Sequence, residues 1–263
     1  MLVWFSLIFL GIIVGFISGL LGIGGGIISA PMLMVASPYM NIHSSVAMHL
    51  AVGTSLAISA LTLVTSLFQH YKNNNIDFGI FFQFLPGNVL GAVIGPYIVS
   101  SLPESILSKI IGILFIALAI NMSFDFYNRT GVRLPKLPWL ILSGFIFGML
   151  ATFVGVSGAI FIIPFLTLFG VALHKSVGVA AMCGVALSFV GMFSNIYFGF
   201  HAQNLPEGAT GFVYWPAVIA ITITSMPVSY WAAKISNKMP IDLLKKSLAI
   251  LLVIIAIKML FFK

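Results

Sequence analysis

The stretch GFISGLLGIGGGIISAP, Gly15 to Pro31, sets six glycines, Gly15, Gly19, Gly22, Gly24, Gly25 and Gly26, inside an apolar run that begins at Leu2. Glycine permits tight turns and close backbone approach, and it weakens a helix interior. Three consecutive glycines between two apolar runs therefore predict a helix that breaks and restarts. A break exposes backbone N–H and C=O groups, which survive at membrane depth only under protein cover or beside a wet cavity. The reading is a turn over Gly22 to Gly26 that borders a binding cavity.

The stretch occurs twice. GFIFGMLATFVGVSGAIFIIP, Gly144 to Pro164, returns Gly15-Phe16-Ile17 as Gly144-Phe145-Ile146 and Gly19 as Gly148. After a four-residue insertion Gly22 returns as Gly155, Gly25 as Gly158 and Pro31 as Pro164. The copies diverge where Gly24 becomes Ser157 and Gly26 becomes Ala159. Interrupted apolar segments at corresponding places in two halves point to a transporter binding site.

Composition agrees with a bilayer. Of 263 residues 60% are hydrophobic and 6% charged, with a mean hydropathy of +1.17; soluble domains carry about a quarter charged residues. This is a polytopic membrane protein whose main partner is the lipid bilayer. The single cysteine, Cys183, excludes a disulfide within the chain and a cysteine-built metal cluster. No metal site and no cofactor are expected. No Lys or Arg precedes the first apolar run, so a cleaved signal peptide is not expected. The net charge of +7 reads as loop cations that orient the chain, not as a nucleic-acid surface.

The fold expected is all-α, with two inverted repeats, each an interrupted, re-entrant helical hairpin followed by three transmembrane helices. Residues 1–123 form the first repeat, 124–138 a connector and 139–263 the second repeat, together one membrane domain. In the first repeat the helices read as Leu2 to Leu21, Ile27 to Ala36, His43 to Gln69, Phe78 to Ser100 and Pro103 to Ser123. In the second they read as Trp139 to Val154, Ala159 to Val171, His174 to Gly199, Phe212 to Ser236 and Pro240 to Phe262. HSSVAMHLAVGTSL from His43 aligns with HKSVGVAAMCGVAL from His174, and Pro86 and Pro103 are answered by Pro216 and Pro240.

Charge decides how the interrupted pairs lie. If each pair returns to its own side, nine cations (Lys72, Arg129, Arg133, Lys136, Lys175, Lys234, Lys238, Lys245, Lys246) share one face and three (Lys109, Lys258, Lys263) the other. If each pair crosses once, the split is six to six. The returning arrangement is favoured, although two full spans per pair would give the same parity; it puts the connector in the cytoplasm and both termini outside a cytoplasmic membrane. It gives each half an odd number of crossings, so the halves are inverted.

Short helices starting near Ile27 and Ala159 then aim their N-termini at mid-membrane, where free N–H groups and partial positive charge suit an anion. The candidate substrate site comprises Gly24, Gly25, Gly26, Ser157 and Gly158 on the turns, with Thr54, Ser55 and Asn88 beside them. The alternative account of the glycines is close helix packing. The alternative for Thr54, Ser55 and Asn88 is hydrogen bonding within or between helices. Asp77, Glu104, Asp125, Glu207 and Asp242 fall in loops or at helix ends, which argues against a buried carboxylate relay. His49, about one and a half turns into its helix, is a candidate gating or proton-linked group or else a histidine bonded to a carbonyl. Gly155-Val156-Ser157-Gly158 also fits the G-x-S-G of rhomboid proteases, but no HxxxN helix accompanies it and Gly24 stands at the serine's position in the other copy.

GLLGIGGGIISAP, the degenerate GVSGAIFIIP and HSSVAMHLAVGTSL together resemble the sulfite exporter TauE/SafE family of membrane permeases, over nearly the whole chain. That resemblance implies transport of a small sulfur-containing anion such as sulfite or a sulfonate, without enzymatic activity. Composition and spacing point only to an inverted repeat suited to some anion. A rhomboid-like protease and a passive anion channel are the competing readings, and assembly as a homodimer is compatible with the sequence.

Overall fold

The computed structural model describes residues 2–21, 23–40, 42–123 and 134–235, with residues 249, 250, 252–254, 256, 257 and 260 of the closing segment. The connector positions 124–133, Gly22 and Pro240 lie outside these.

The described residues are helical almost throughout. Its elements are α1 (Leu2–Leu21), α2 (Gly26–Ala36), a 3-10 turn (Ser37–Met40), α3 (Ala47–Lys72), α4 (Phe78–Ser100), α5 (Glu104–Ser123), α6 (Leu137–Val154), α7 (Ala159–Leu168), α8 (Leu173–Gly199), the short strands β1 (Ala209–Thr210) and β2 (Val213–Tyr214), and α9 (Trp215–Ile235). Helices α3, α4, α6 and α8 are each long and apolar enough to cross a membrane. At 10 residues α7 is about 15 Å long and cannot. The surface is apolar as well as the core: Phe9, Ile113, Trp139, Phe193 and Ile223 are all exposed. That is the pattern of a molecule solvated by lipid.

Glycine stripes fix how the helices meet. On α1, Cβ atoms at Gly11, Gly15 and Gly19 would fall 2.5 Å, 2.4 Å and 2.3 Å from the carbonyl oxygens of Ile221, Ser225 and Ser229 on α9. On α4, Gly87, Gly91 and Gly95 ride in the same way over Ile141, Phe145 and Thr152 of α6. Small residues four apart let two backbones touch, which is the main way helices associate in lipid. In both pairs the numbers rise together, so the helices run parallel. Along α3 and α8 they oppose: Gly53 meets Asn195, Leu56 meets Gly191 and Leu63 meets Gly184. These two helices are antiparallel.

The pairing survives an exchange of halves. Helix α1 lies on α9 and α6 on α4; α2 lies on α3 and α7 on α8; α3 and α8 lie on each other. Helix α2 runs back along α3, from Gly26 beside Ser59 to Met34 beside Met48, and so returns to the end where α3 begins. Phe161 and Phe165 of α7 fold back on Phe147 of α6 in the second hairpin.

Two expected helix starts are corrected. Helix α3 begins at Ala47, not His43, because the His43 ring nitrogen engages the Ser45 hydroxyl (2.8 Å) and accepts from the Ser45 amide (3.3 Å). Such local bonds compete with a helix. Helix α9 begins at Trp215, not Phe212, because the preceding residues form a β-hairpin, with Ala209 opposite Tyr214 and Thr210 opposite Val213. Gly211, at φ +55°, makes its two-residue turn possible. The expected Pro103 start is nearly met: its carbonyl accepts from Ile106 and Leu107, and α5 opens at Glu104.

Candidate functional site

The two helix breaks meet. Ser157, on the second turn, donates its hydroxyl proton to the carbonyl of Ile23 on the first. A Cβ on Gly26 would fall 2.2 Å from the Gly155 carbonyl oxygen, and one on Gly24 would fall 3.0 Å from Ser157 Oγ. Ser55 of α3 shares its hydroxyl proton between the same Gly155 carbonyl and the Val52 carbonyl of its own helix, both at 2.8 Å. Ser55 and Ser157 are fully buried. The expectation was of turns bordering a cavity; in this structure they border each other.

Both short helices open on the glycine the repeat alignment matches: Gly25 is the N-cap of α2 and Gly158 the N-cap of α7, and neither helix has a side-chain cap. Their backbones differ. Gly25 is right-handed at φ −75°, while Gly158 is left-handed at φ +76°. Among the described residues of the first turn Gly24 is left-handed, at φ +73°, the position that aligns with Ser157. A side chain is tolerated at Ser157 because the left-handed positions of the second turn are Gly155 and Gly158. Among the described residues the amides of Ile27, Gly158, Ala159 and Ile160 meet no acceptor. Buried first-turn amides without partners are the feature that receives an anion at a helix N-terminus.

Helix α3 supplies a polar stripe beside the turns. Ser55, Ser59, Thr62 and Ser66 recur at helical spacing, and all are fully buried. Thr62 bonds back to the Ile58 carbonyl at 2.5 Å. Ser59 Oγ, 2.6 Å from where a Gly26 Cβ would stand, has no hydrogen-bond partner. Ser29 on α2 is likewise buried and unpartnered. Sequence reasoning named Ser55 and missed Ser59; the i, i+4 spacing from Ser55 was the available signal.

The remaining candidates separate. Thr54 faces away from the turns and accepts from the Tyr214 amide at 2.9 Å, which ties the β-hairpin to α3. Asn88 is fully buried where α4 packs on Gly144 and Gly148 of α6. Its side chain lies against the Cys183 thiol but makes no hydrogen bond of normal geometry. One residue further along α8, Gly184 packs on the Ser157 carbonyl. Asn88 is therefore close to the turns through α8, whereas Thr54 is not.

His49 is buried at the α3 N-terminus. Its Nε2 lies 3.0 Å from the Val99 carbonyl and its Nδ1 2.9 Å from Glu104 Oε2. A carbonyl only accepts, so Nε2 carries a proton. Nδ1 and the Glu104 carboxylate then face each other across a hydrogen bond that joins α3 to α5. The other carboxylate oxygen accepts from the Met48 amide, in the first turn of α3. Glu104 does stand at a helix end, as expected, yet it reaches a buried imidazole of another helix, a pairing the linear sequence does not display.

A helical membrane protein in which two uncapped, glycine-broken helices meet among buried hydroxyls belongs to the class of polytopic membrane transporters. The chain belongs to the sulfite exporter TauE/SafE family, whose model matches residues 7–259. It is 34% identical over 251 residues, 95% of either chain, to a "Probable membrane transporter protein" of Haemophilus influenzae. It is 30% identical over 251 residues, 94% of this chain and 90% of the other, to one of Methanocaldococcus jannaschii. A Bacillus subtilis relative of the same description is 26% identical over 255 residues. No solved structure matches the chain.

Proposed function

We propose that the chain is a secondary transporter for a small sulfur-containing oxyanion, such as sulfite or a sulfonate, across the cytoplasmic membrane. The observation that carries this is the meeting of the two breaks, with bare amides at Ile27, Gly158, Ala159 and Ile160 beside the unpartnered hydroxyl of Ser59. Neutral donors of this kind hold an oxyanion without a fixed counter-charge. Sulfur comes from the family description; the donors themselves ask only for a small anion.

The two halves act as inverted repeats. The antiparallel run of α3 against α8 supports this, because a two-fold axis parallel to the helices would leave the two partners parallel. Rocking one half on the other would part the turns and open the site to alternate sides. The nine-to-three distribution of cations supports a cytoplasmic connector and outward termini. His49 and Glu104, which have Ala180 and Ile241 at the matching places of the second repeat, form a hydrogen-bonded latch between α3 and α5 in one half only.

The test is a thermal-shift panel of sulfite, sulfate, thiosulfate, a sulfonate and a carboxylate on the purified protein, since an anion that binds the folded state raises its melting temperature. Saturable shifts from sulfur oxyanions support the reading. No shift from any anion, at concentrations that support uptake into liposomes, refutes binding at the turns.

A further inference from the structure

Between α3 and α9 the surface opens a groove of about 380 Å³ lined by Val64, Thr65, Phe68, Met226, Pro227 and Tyr230. Its walls come from one helix of each half. Two cations close on one end: Lys72 Nζ stands 4.6 Å above the Phe68 ring and Lys234 Nζ stands 4.4 Å above the Tyr230 ring. Gln69 and the Tyr230 hydroxyl lie beside them.

Each lysine sits in the last turn of its helix, where a cation offsets the helix dipole. That accounts for one cation per helix end. It does not account for both being folded over the rings that line one groove. Among the described residues the sole ion pair is His49 with Glu104, and none of the described carboxylates pairs with Lys72 or Lys234. An apolar trough ending in two ammonium groups and two neutral polar groups is complementary to a molecule with a hydrocarbon tail and an anionic head.

We propose that this groove binds an anionic glycerophospholipid, with an acyl chain along Val64, Phe68 and Met226 and the phosphate between Lys72 and Lys234. Basic pockets between membrane helices hold anionic head groups in this way, and both lysines fall on the face that carries most of the cations. The two walls belong to different halves, so the bound lipid bridges the surfaces that rocking would move. The proposal does not depend on what the protein transports.

The experiment is native mass spectrometry of the purified protein with phosphatidylglycerol or phosphatidylcholine of identical chains, together with melting in the same lipids. The wild type should retain phosphatidylglycerol in preference and melt higher in it. The double variant Lys72→Ala/Lys234→Ala should lose the preference by about fivefold per lysine, while Lys109→Ala/Lys175→Ala should keep it. Val64→Trp, at an exposed position, should displace both lipids by filling the groove. Equal retention of the two lipids by the wild type, or an unaltered preference in the Lys72/Lys234 variant, would overturn the proposal. An equal rise in melting temperature with inorganic phosphate alone would also overturn it, by assigning the cations to a soluble anion.

Discussion

At the scale of single residues, two hydroxyls hold the turns together. Ser157 satisfies the Ile23 carbonyl and Ser55 the Gly155 carbonyl, both out of reach of water. Ser157→Ala and Ser55→Ala should each lower stability by about 1 kcal/mol or slightly more, because a buried acceptor is left without its donor. Melting in detergent measures it, and unchanged melting in both would mean that neither bond contributes. Glu104→Ala removes the partner of the His49 imidazole and the cap of the Met48 amide together. It should cost about 1–3 kcal/mol, below the value for a fully buried pair because Glu104 is 25% exposed. Glu104→Gln, which keeps an acceptor for the amide, should cost less; equal losses would assign the effect to helix capping by charge. The glycines and Ser157 were legible in the sequence because a repeat marks them. Ser59 could have been found from its i, i+4 spacing to Ser55, but nothing in the sequence separates a hydroxyl left without a partner from one bonded back to its own helix, as Thr62 is. The His49–Glu104 pair spans 55 positions, and no local pattern announces a contact of that separation.

At the scale of elements, packing by glycine stripes sets the architecture. Gly91 on α4 lets the Phe145 carbonyl approach so closely that a Cβ would stand 2.3 Å away. Gly91→Leu should force α4 from α6 and reduce folded protein, whereas Leu90→Ala, at a lipid-facing position, should leave it nearly unchanged. Fluorescence-detected size exclusion reads both; a monodisperse Gly91→Leu protein would contradict the packing. The nine described helices and the breaks between α1 and α2 and between α6 and α7 could be read from hydropathy and glycine because both are local, while the expected closing helix from Pro240 to Phe262 lies largely outside the described residues. The β-hairpin before α9 could not. Phe212, Val213 and Tyr214 are as apolar as a helix start, and only Gly208 and Gly211, at φ +84° and +55°, mark the chain as turning there.

At the scale of the whole molecule, the two hairpins pack along α3 and α8 and meet between these antiparallel helices. Because α2 returns to the start of α3, α7 leads into the start of α8, and α3 opposes α8, Val35 and Val171 belong at opposite ends of the molecule. Single cysteines there, with Cys183 replaced, should react with a membrane-impermeant thiol reagent from opposite sides; labelling from one side would contradict the inversion. The most direct measurement of the central claim concerns Ser59. Its hydroxyl has no partner among the described residues, so Ser59→Ala should leave the melting temperature of the anion-free protein unchanged or higher. If that hydroxyl and the bare amides hold the anion, the same variant should need about tenfold more sulfite for the half-maximal thermal shift, a hydrogen bond to a charged group being worth roughly 1.5–3 kcal/mol. An unaltered sulfite dependence in Ser59→Ala would contradict the placement of the anion at the crossing of the two turns.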